Sequence, residues 1–448
     1  MGNMRSEMAE RDVASLFHGQ TNARRLEQEG PLVIVRGEGI HVYDDSGKEY
    51  IDTLASMWNA GLGFSEKRLI AAASRQFEAL PVFHSYYQRS HPPAIELASR
   101  LTSMAPGEMT KAFFTNSGSE AVETAVKLVR FFNNALGRST KKKVIARTKA
   151  YHGAGIFSGS LTGLSAIHSG FDLPEAGILR VESPHYIAGR NNLSEESYAE
   201  SMARDLEAVI VQEGPDSIAA MIAEPIIGSG GVIPPPHTYW EKVQNILRKY
   251  DILLIADEVI SGFGRTGFMF ACELYDIRPD LLVLSKQITS GYAALGAVLF
   301  GDKLYQPIAD QTARLGTFGH AFTSGSHPVA TAVANETLNL IEERHLVAHV
   351  RGLAPHFQER LTRVSQFKSV QEVRAVGLLG AVDFVDQDPD ISGKLARRAV
   401  ELGPDYGLLL RMSGSSIVLC PPMIITAREI DTMFDRLEAS IEAVERAF

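Results

Sequence analysis

The sequence predicts an α/β fold: a mostly parallel seven-stranded sheet covered by helices on both faces, plus a smaller α+β body built from both ends of the chain. Three observations carry this. From about residue 95 to residue 300, short apolar runs alternate with longer helical patterns, and near-continuous apolar strands belong to parallel sheets buried on both faces. Ahead of that region lie short runs joined by turn residues. Behind it, beyond about residue 325, the alternation gives way to long helical stretches and a few strands.

In chain order, residues 1–30 are polar and helix-permissive up to Gly30-Pro31. The runs Leu32–Arg36, Ile40–Tyr43 and Tyr50–Leu54, joined by Gly37-Glu-Gly39 and Asp44-Asp-Ser-Gly47, read as an antiparallel meander. The seven sheet strands are expected at Lys111–Thr115, Val144–Thr148, Ile178–Val181, Ile218–Ala223, Ile252–Ala256, Leu281–Ser285 and Ala297–Phe300. Between the first two, Val122, Ala125, Val126, Val129 and Phe132 keep helical spacing over Glu120–Asn133. Helices are expected over Val329–Glu343 and Val347–Val364, and strands at Glu372–Val385 and Leu408–Leu419. A final helix runs over Thr426–Phe448 with Thr426 as N-cap. The domain division is then 1–60 with 326–448 as the smaller body, and 61–325 as the larger.

A 448-residue chain with 45% hydrophobic and 22% charged residues has the composition of a soluble protein. Its net charge of −9 argues against nucleic acid or an anionic membrane as main partner. Cys272 and Cys420 stand far apart without ligand-spaced histidines, so neither a zinc site nor a disulfide framework is expected. A reducing, cytoplasmic location follows. No secretory leader or membrane-length apolar run is visible. Met1-Gly2-Asn3-Met4-Arg5-Ser6 fits the myristoylation pattern, too short a match to outweigh the enzyme-like remainder. The basic run Arg138–Lys143 reads as a solvated loop.

Three strand ends carry the chemistry, and ligands of such sheets bind at the carboxyl ends of strands. Thr115-Asn-Ser-Gly-Ser-Glu120 opens directly into a helix, and small residues at a helix N-terminus make an anion cradle. Ile252–Ala256 ends in Asp257, a buried carboxylate that needs a cation or several donors, with Val259 two residues on. Leu281-Leu-Val-Leu-Ser285 delivers Lys286, and a buried lysine has a lowered pKa and a nucleophilic amine. Phosphate cradle, acid and amine together describe a pyridoxal phosphate site. A competing motif, Gly262-Phe-Gly264-Arg-Thr-Gly267, fits the dinucleotide fingerprint of an NAD-dependent oxidoreductase. It lacks a good helix start after the glycines, and its acid precedes them.

With these residues on the page, the chain resembles the class III aminotransferases of fold type I, and most of all the ω-amine:pyruvate aminotransferases, from Leu16 to the last helix. The motifs are Asn116-Ser-Gly-Ser-Glu120, Ala150-Tyr-His-Gly153, Glu224-Pro225 with Gly228-Ser-Gly-Gly-Val-Ile-Pro234, Asp257-Glu-Val259, Ser285-Lys286 and His327-Pro328. The resemblance implies Lys286 as the Schiff-base lysine and proton shuttle, and Asp257 at the pyridine nitrogen. Tyr151 and Val259 would flank the ring, Gly118 and Ser119 would hold the phosphate, and Thr323 would come from the partner subunit. Glu224 would be an acid one step removed from the cofactor, supporting the residues that touch it. Gln20, Trp58, Tyr86, Tyr87 and Tyr151 would line the substrate pocket, with Arg411 receiving a substrate carboxylate.

Departures from the pattern, the Tyr86-Tyr87 pair and the proline-free run Gly291–Ala297 among them, bear on which amine is preferred. The expected activity is transamination by a ping-pong mechanism, from an amine or ω-amino acid to a small keto acid, with pyruvate as the expected acceptor. The expected assembly is a homodimer or dimer of dimers with shared active sites. The alternatives are an aminomutase, an amino acid racemase or a decarboxylase on the same cofactor.

Overall fold

The computed structural model describes residues 6–188, 193–385 and 389–447; the acylation pattern at the N-terminus lies largely outside them. The seven expected runs form one sheet: β4 (Lys111–Thr115), β5 (Lys143–Arg147), β6 (Ile178–Val181), β7 (Ile218–Ala223), β8 (Leu253–Asp257), β9 (Leu281–Leu284) and β10 (Gly296–Phe300). Their order is β4-β10-β9-β8-β7-β5-β6. Only β10 runs against its neighbours. The segment 285–295 between β9 and β10 is too short for the crossover a parallel return requires.

Alternate residues of these strands enter different cores, the period of two expected of a doubly covered sheet. Leu254, Leu282 and Leu299 pack with Val243 and Leu247 of the helix Tyr239–Lys249 and Val333 and Leu338 of Pro328–Glu343. Ile255, Val283 and Val298 pack on the other face with Val122, Val126 and Val129 of the helix Gly118–Ala135.

The N-terminal meander is β1 (Ile34–Glu38), β2 (His41–Asp44) and β3 (Glu49–Asp52). Strand β3 also pairs in parallel with β13 (Leu408–Leu409), which ties the two ends of the chain together. The remaining small sheet has the order β11-β12-β15-β14. Its strands are β11 (Val370–Val376), β12 (Leu379–Phe384), β14 (Arg411–Ser413) and β15 (Ser416–Leu419). Each long C-terminal stretch that reads as strand is thus folded back on itself. Gly377 and Gly414, both at φ +60°, make the reversals. Phe357 and Leu361 of Leu346–Val364 and Phe434 and Leu437 of Ala427–Ala447 close the core on this sheet. Thr426 caps that last helix reciprocally with Glu429.

The basic run is a loop exposed over residues 138–140, as expected, but it is pinned rather than freely solvated. Arg138 pairs with Asp251 at 2.6 Å, Lys143 with Glu213 at 2.7 Å, and Lys141 is buried with its ammonium on backbone carbonyls. The glycine motif at 262–267 forms successive turns and leads into a helix of four residues, Ala271–Leu274. The helix that packs on Gly264 and Gly267 is Leu346–Val364, far along the chain, not one that opens directly from the glycines as a dinucleotide site requires. Both cysteines are buried free thiols. No described helix is long and apolar enough to cross a membrane.

Candidate active site

The sheet order lines up the functional groups along one edge. The carboxyl ends of β9, β8, β7 and β5 are neighbours, and just beyond them come Lys286, Asp257, Glu224 and Tyr151-His152. The helix that follows β4 completes the ring. One cavity is lined by Ser117, Gly118, Ser119, Tyr151, His152, Glu224, Asp257, Val259, Ile260 and Lys286. Its empty volume, open solvent at the mouth included, is about 500 Å³.

Lys286 follows the extended Ser285 and takes a left-handed conformation at φ +47°. Such backbone is costly for a residue with a Cβ, and strain of this kind concentrates at functional sites. The turn projects the amine into the cavity, with Nζ 6.0 Å from the centre of the Tyr151 ring. Burial pushes its ammonium below the ordinary lysine value, while Asp257 and Glu224 pull it back up. The result favours a neutral amine able to attack a carbonyl carbon.

Asp257 is 3% exposed, and each of its oxygens has a partner. Oδ2 lies 2.7 Å from His152 Nδ1, and Oδ1 accepts the Val259 N–H at 3.1 Å. A carboxylate partner assigns the proton to His152 Nδ1. His152 Nε2 is buried without a hydrogen-bond partner among the described residues. Glu224 accepts the N–H groups of Tyr151 at 3.1 Å and Gly228 at 2.8 Å. Burial, with Asp257 nearby, raises its carboxyl above the usual range despite His152 and the Gly228 N–H.

The helix Gly118–Ala135 points its first turn into the cavity. Its leading N–H groups have no intrahelical acceptor. Ser117 caps Glu120 N at 3.2 Å, and Glu120 accepts the Asn116 N–H at 2.7 Å, which braces the turn. A Cβ on Gly118 would sit 3.2 and 3.3 Å from the two methyls of Val259. Glycine therefore keeps the cleft between anion cradle and valine open. Cradle, amine, carboxylate and the Tyr151 ring form a donor set that fits pyridoxal phosphate.

The other expected site residues lie outside this cavity lining. Trp58 is buried against Leu54, Val232, Ile260 and Val418, and Ile260 is its link to the cavity. It follows Ala55 and Ser56, all three at positive φ, in a turn held by Asp52 accepting the N–H groups of Leu54 and Ser56. Arg411 stands half-buried on β14 with Nη1 on Met57 Sδ and no carboxylate partner among the described residues. Burial lowers its pKa, and Tyr151 opposes this. Tyr87 is 85% exposed, Tyr86 half-buried, and Gln20 and Thr323 exposed. The tyrosine and threonine loops are joined by Ser85 Oγ–Ser326 Oγ at 2.8 Å and His91 Nε2–Ser326 O at 2.7 Å.

Sequence reasoning missed His152 as the partner of Asp257. The sequence signal was only general: a buried acid needs donors, and Tyr151-His152 follows β5, which β7 separates from β8.

The family model for class-III aminotransferases matches residues 23–441. The chain is 47% identical over 427 residues to a probable γ-aminobutyrate transaminase 3, mitochondrial, of Oryza sativa subsp. indica, covering 93% of this chain and 83% of that one. It is 46% identical over 445 residues to the chloroplastic γ-aminobutyrate transaminase 3 of Solanum lycopersicum, covering 97% and 84%. Among solved structures, the ω-transaminase from Pseudomonas jessenii in complex with PMP superposes with a TM-score of 0.96 at 46% identity, covering 98% of this chain and 99% of that one. The PMP-bound aminotransferase from Vibrio fluvialis superposes with a TM-score of 0.95 at 37% identity, covering 99% of both.

Proposed function

Because the chain belongs to the class-III aminotransferases, whose cofactor is pyridoxal phosphate, we propose that it moves an amino group from an amine or ω-amino acid to a small keto acid in two half-reactions. Pyruvate is the acceptor of first choice. A related transaminase has been solved with L-alanine, the amino acid that pyruvate would become. Bound at this site, the cofactor supplies an electron sink for the carbon that loses its proton.

The remaining steps belong to the protein. Lys286 would hold the cofactor through its amine and would carry the proton at the substrate carbon. Asp257, oriented by His152, would keep the pyridine nitrogen protonated. Tyr151 and Val259 would hold the ring, and Gly118 and Ser119 would bind the phosphate with Thr323 of the partner subunit.

The observation that carries the reading is Arg411. It is a half-buried cation close enough to Tyr151 and Lys286 to influence both, and its one side-chain hydrogen-bond partner among the described residues is a neutral thioether. A cation without a fixed counter-ion can take a keto acid's carboxylate through its planar fork. It can also turn away from an uncharged amine.

Exposed Tyr87, Val82 (67%) and Phe83 (40%) beside the Thr323 loop support a homodimer, alone or paired again, in which each subunit completes its partner's site. Residence in the cytoplasm accords with the two free thiols.

A donor and acceptor panel tests the function. Arylalkylamines and ω-amino acids should bleach the cofactor's visible band, and pyruvate should restore it. Carbon dioxide release, racemisation, or a shifted amino group within one molecule, with no keto-acid requirement, would transfer the chain to another reaction of its class.

A further inference from the structure

Arg411 does not stand alone on its sheet. Arg374 pairs with Ala381, Ala381 with Val418, and Val418 with Arg411, so the four form one rung across β11, β12, β15 and β14. Residues directly opposite on neighbouring strands project to the same face. The rung therefore carries an arginine at each end, about 14 Å apart at the ordinary strand spacing. Ala381 and Val418 between them pack against Trp58, Val232 and Ile260.

The two arginines are held very differently. Arg374 is 7% exposed and grips both sides of the structure. Within its own sheet, Nη1 binds Glu372 at 2.6 Å and Asp383 at 2.7 Å, and Nη2 binds Asp383 at 2.8 Å. Toward the loop after β7, Nη2 donates to the Gly231 carbonyl at 2.7 Å and Nε to that of Val232 at 3.1 Å. Ser413, two residues beyond Arg411, donates its hydroxyl to Ser229 O at 2.6 Å. The same loop supplies the Gly228 N–H that Glu224 accepts in the cavity.

We infer that Arg374 is a positioning residue for carboxylate recognition. It bolts the rung to the loop 228–232 and so fixes the point from which Arg411 reaches toward Lys286. The inference rests on the proposed role of Arg411.

Its test uses the holoenzyme with Arg374→Lys, which keeps a cation for Glu372 and Asp383 but loses the fork. A second variant, Ser413→Ala, removes the other tie without disturbing a buried charge. Each half-reaction is followed by cofactor absorbance, and backbone deuterium exchange is read over residues 226–234. Small displacements of a positioning group cost rate steeply. The rate constant with pyruvate should fall roughly tenfold, that with an arylalkylamine should stay within about twofold, and the loop should exchange faster. Equal losses in both half-reactions, or unchanged exchange, would overturn the inference. If Arg411→Ala is selective for the acceptor while both new variants are not, only the inference fails. If Arg411→Ala is itself unselective, the reading beneath it fails as well.

Discussion

Arg411→Ala separates the two substrates of one pocket. The arginine is half-buried, has no carboxylate partner among the described residues, and rests on the Met57 sulfur. Removing it breaks no ion pair, so folding stability should change by less than about 1 kcal/mol. A keto acid that loses its bidentate partner forfeits about 2–4 kcal/mol, the range for truncating one side of a paired charge. At about 1.4 kcal/mol per factor of ten, the acceptor half-reaction should slow by about 30-fold to 1,000-fold. A simple arylalkylamine makes no such contact, and its half-reaction should change by less than about threefold. Stopped-flow absorbance measures the two separately. Equal losses, or an acceptor loss below about threefold, would show Arg411 to be structural.

Asp257→Asn keeps the shape of the side chain but removes the charge, and should slow proton abstraction by about a hundredfold or more while cofactor binding changes far less; near-wild-type single-turnover rates would refute the electrostatic role. If Thr323 completes the partner's phosphate site, activity should fall with dilution in step with dimer dissociation in sedimentation, and a fully active monomer would contradict the shared site. At Asp44, burial alone would raise the carboxyl, but donors on Ser46, Tyr50 and Lys48 outweigh it and bring it down to about 2. Its folded-state pKa is depressed, so its stabilisation is complete above the ordinary value of 3.8 and is lost as pH falls through about 2. The gap in melting temperature between wild type and Asp44→Asn should therefore be full at neutral pH and narrow across that acid window; a pH-independent gap would refute it.

Much of this site was legible because its parts sit at sequence-visible boundaries. An apolar run that stops at a lone acid or lysine marks a strand end, and Ser117-Gly-Ser119 marks a helix start. Tertiary pairing was less visible. Nothing local to Asp257 points to His152, 105 residues earlier, because their contact depends on the β8-β7-β5 order. The left-handed turn at Ala55–Trp58 breaks the rule that residues with a Cβ avoid positive φ. It is held by the Asp52 carboxylate, not by its own propensities. Thr323 escapes a single-chain account for another reason: its proposed place in the site depends on a second subunit.

The most direct measurement of the central claim is the position of the covalent link. Borohydride reduction of the holoenzyme, followed by proteolysis and mass spectrometry, should place one pyridoxyl group on Nζ of Lys286, and Lys286→Ala should bind cofactor without that label and without turnover. A label on any other lysine, or sustained turnover by the alanine variant, would contradict the site described.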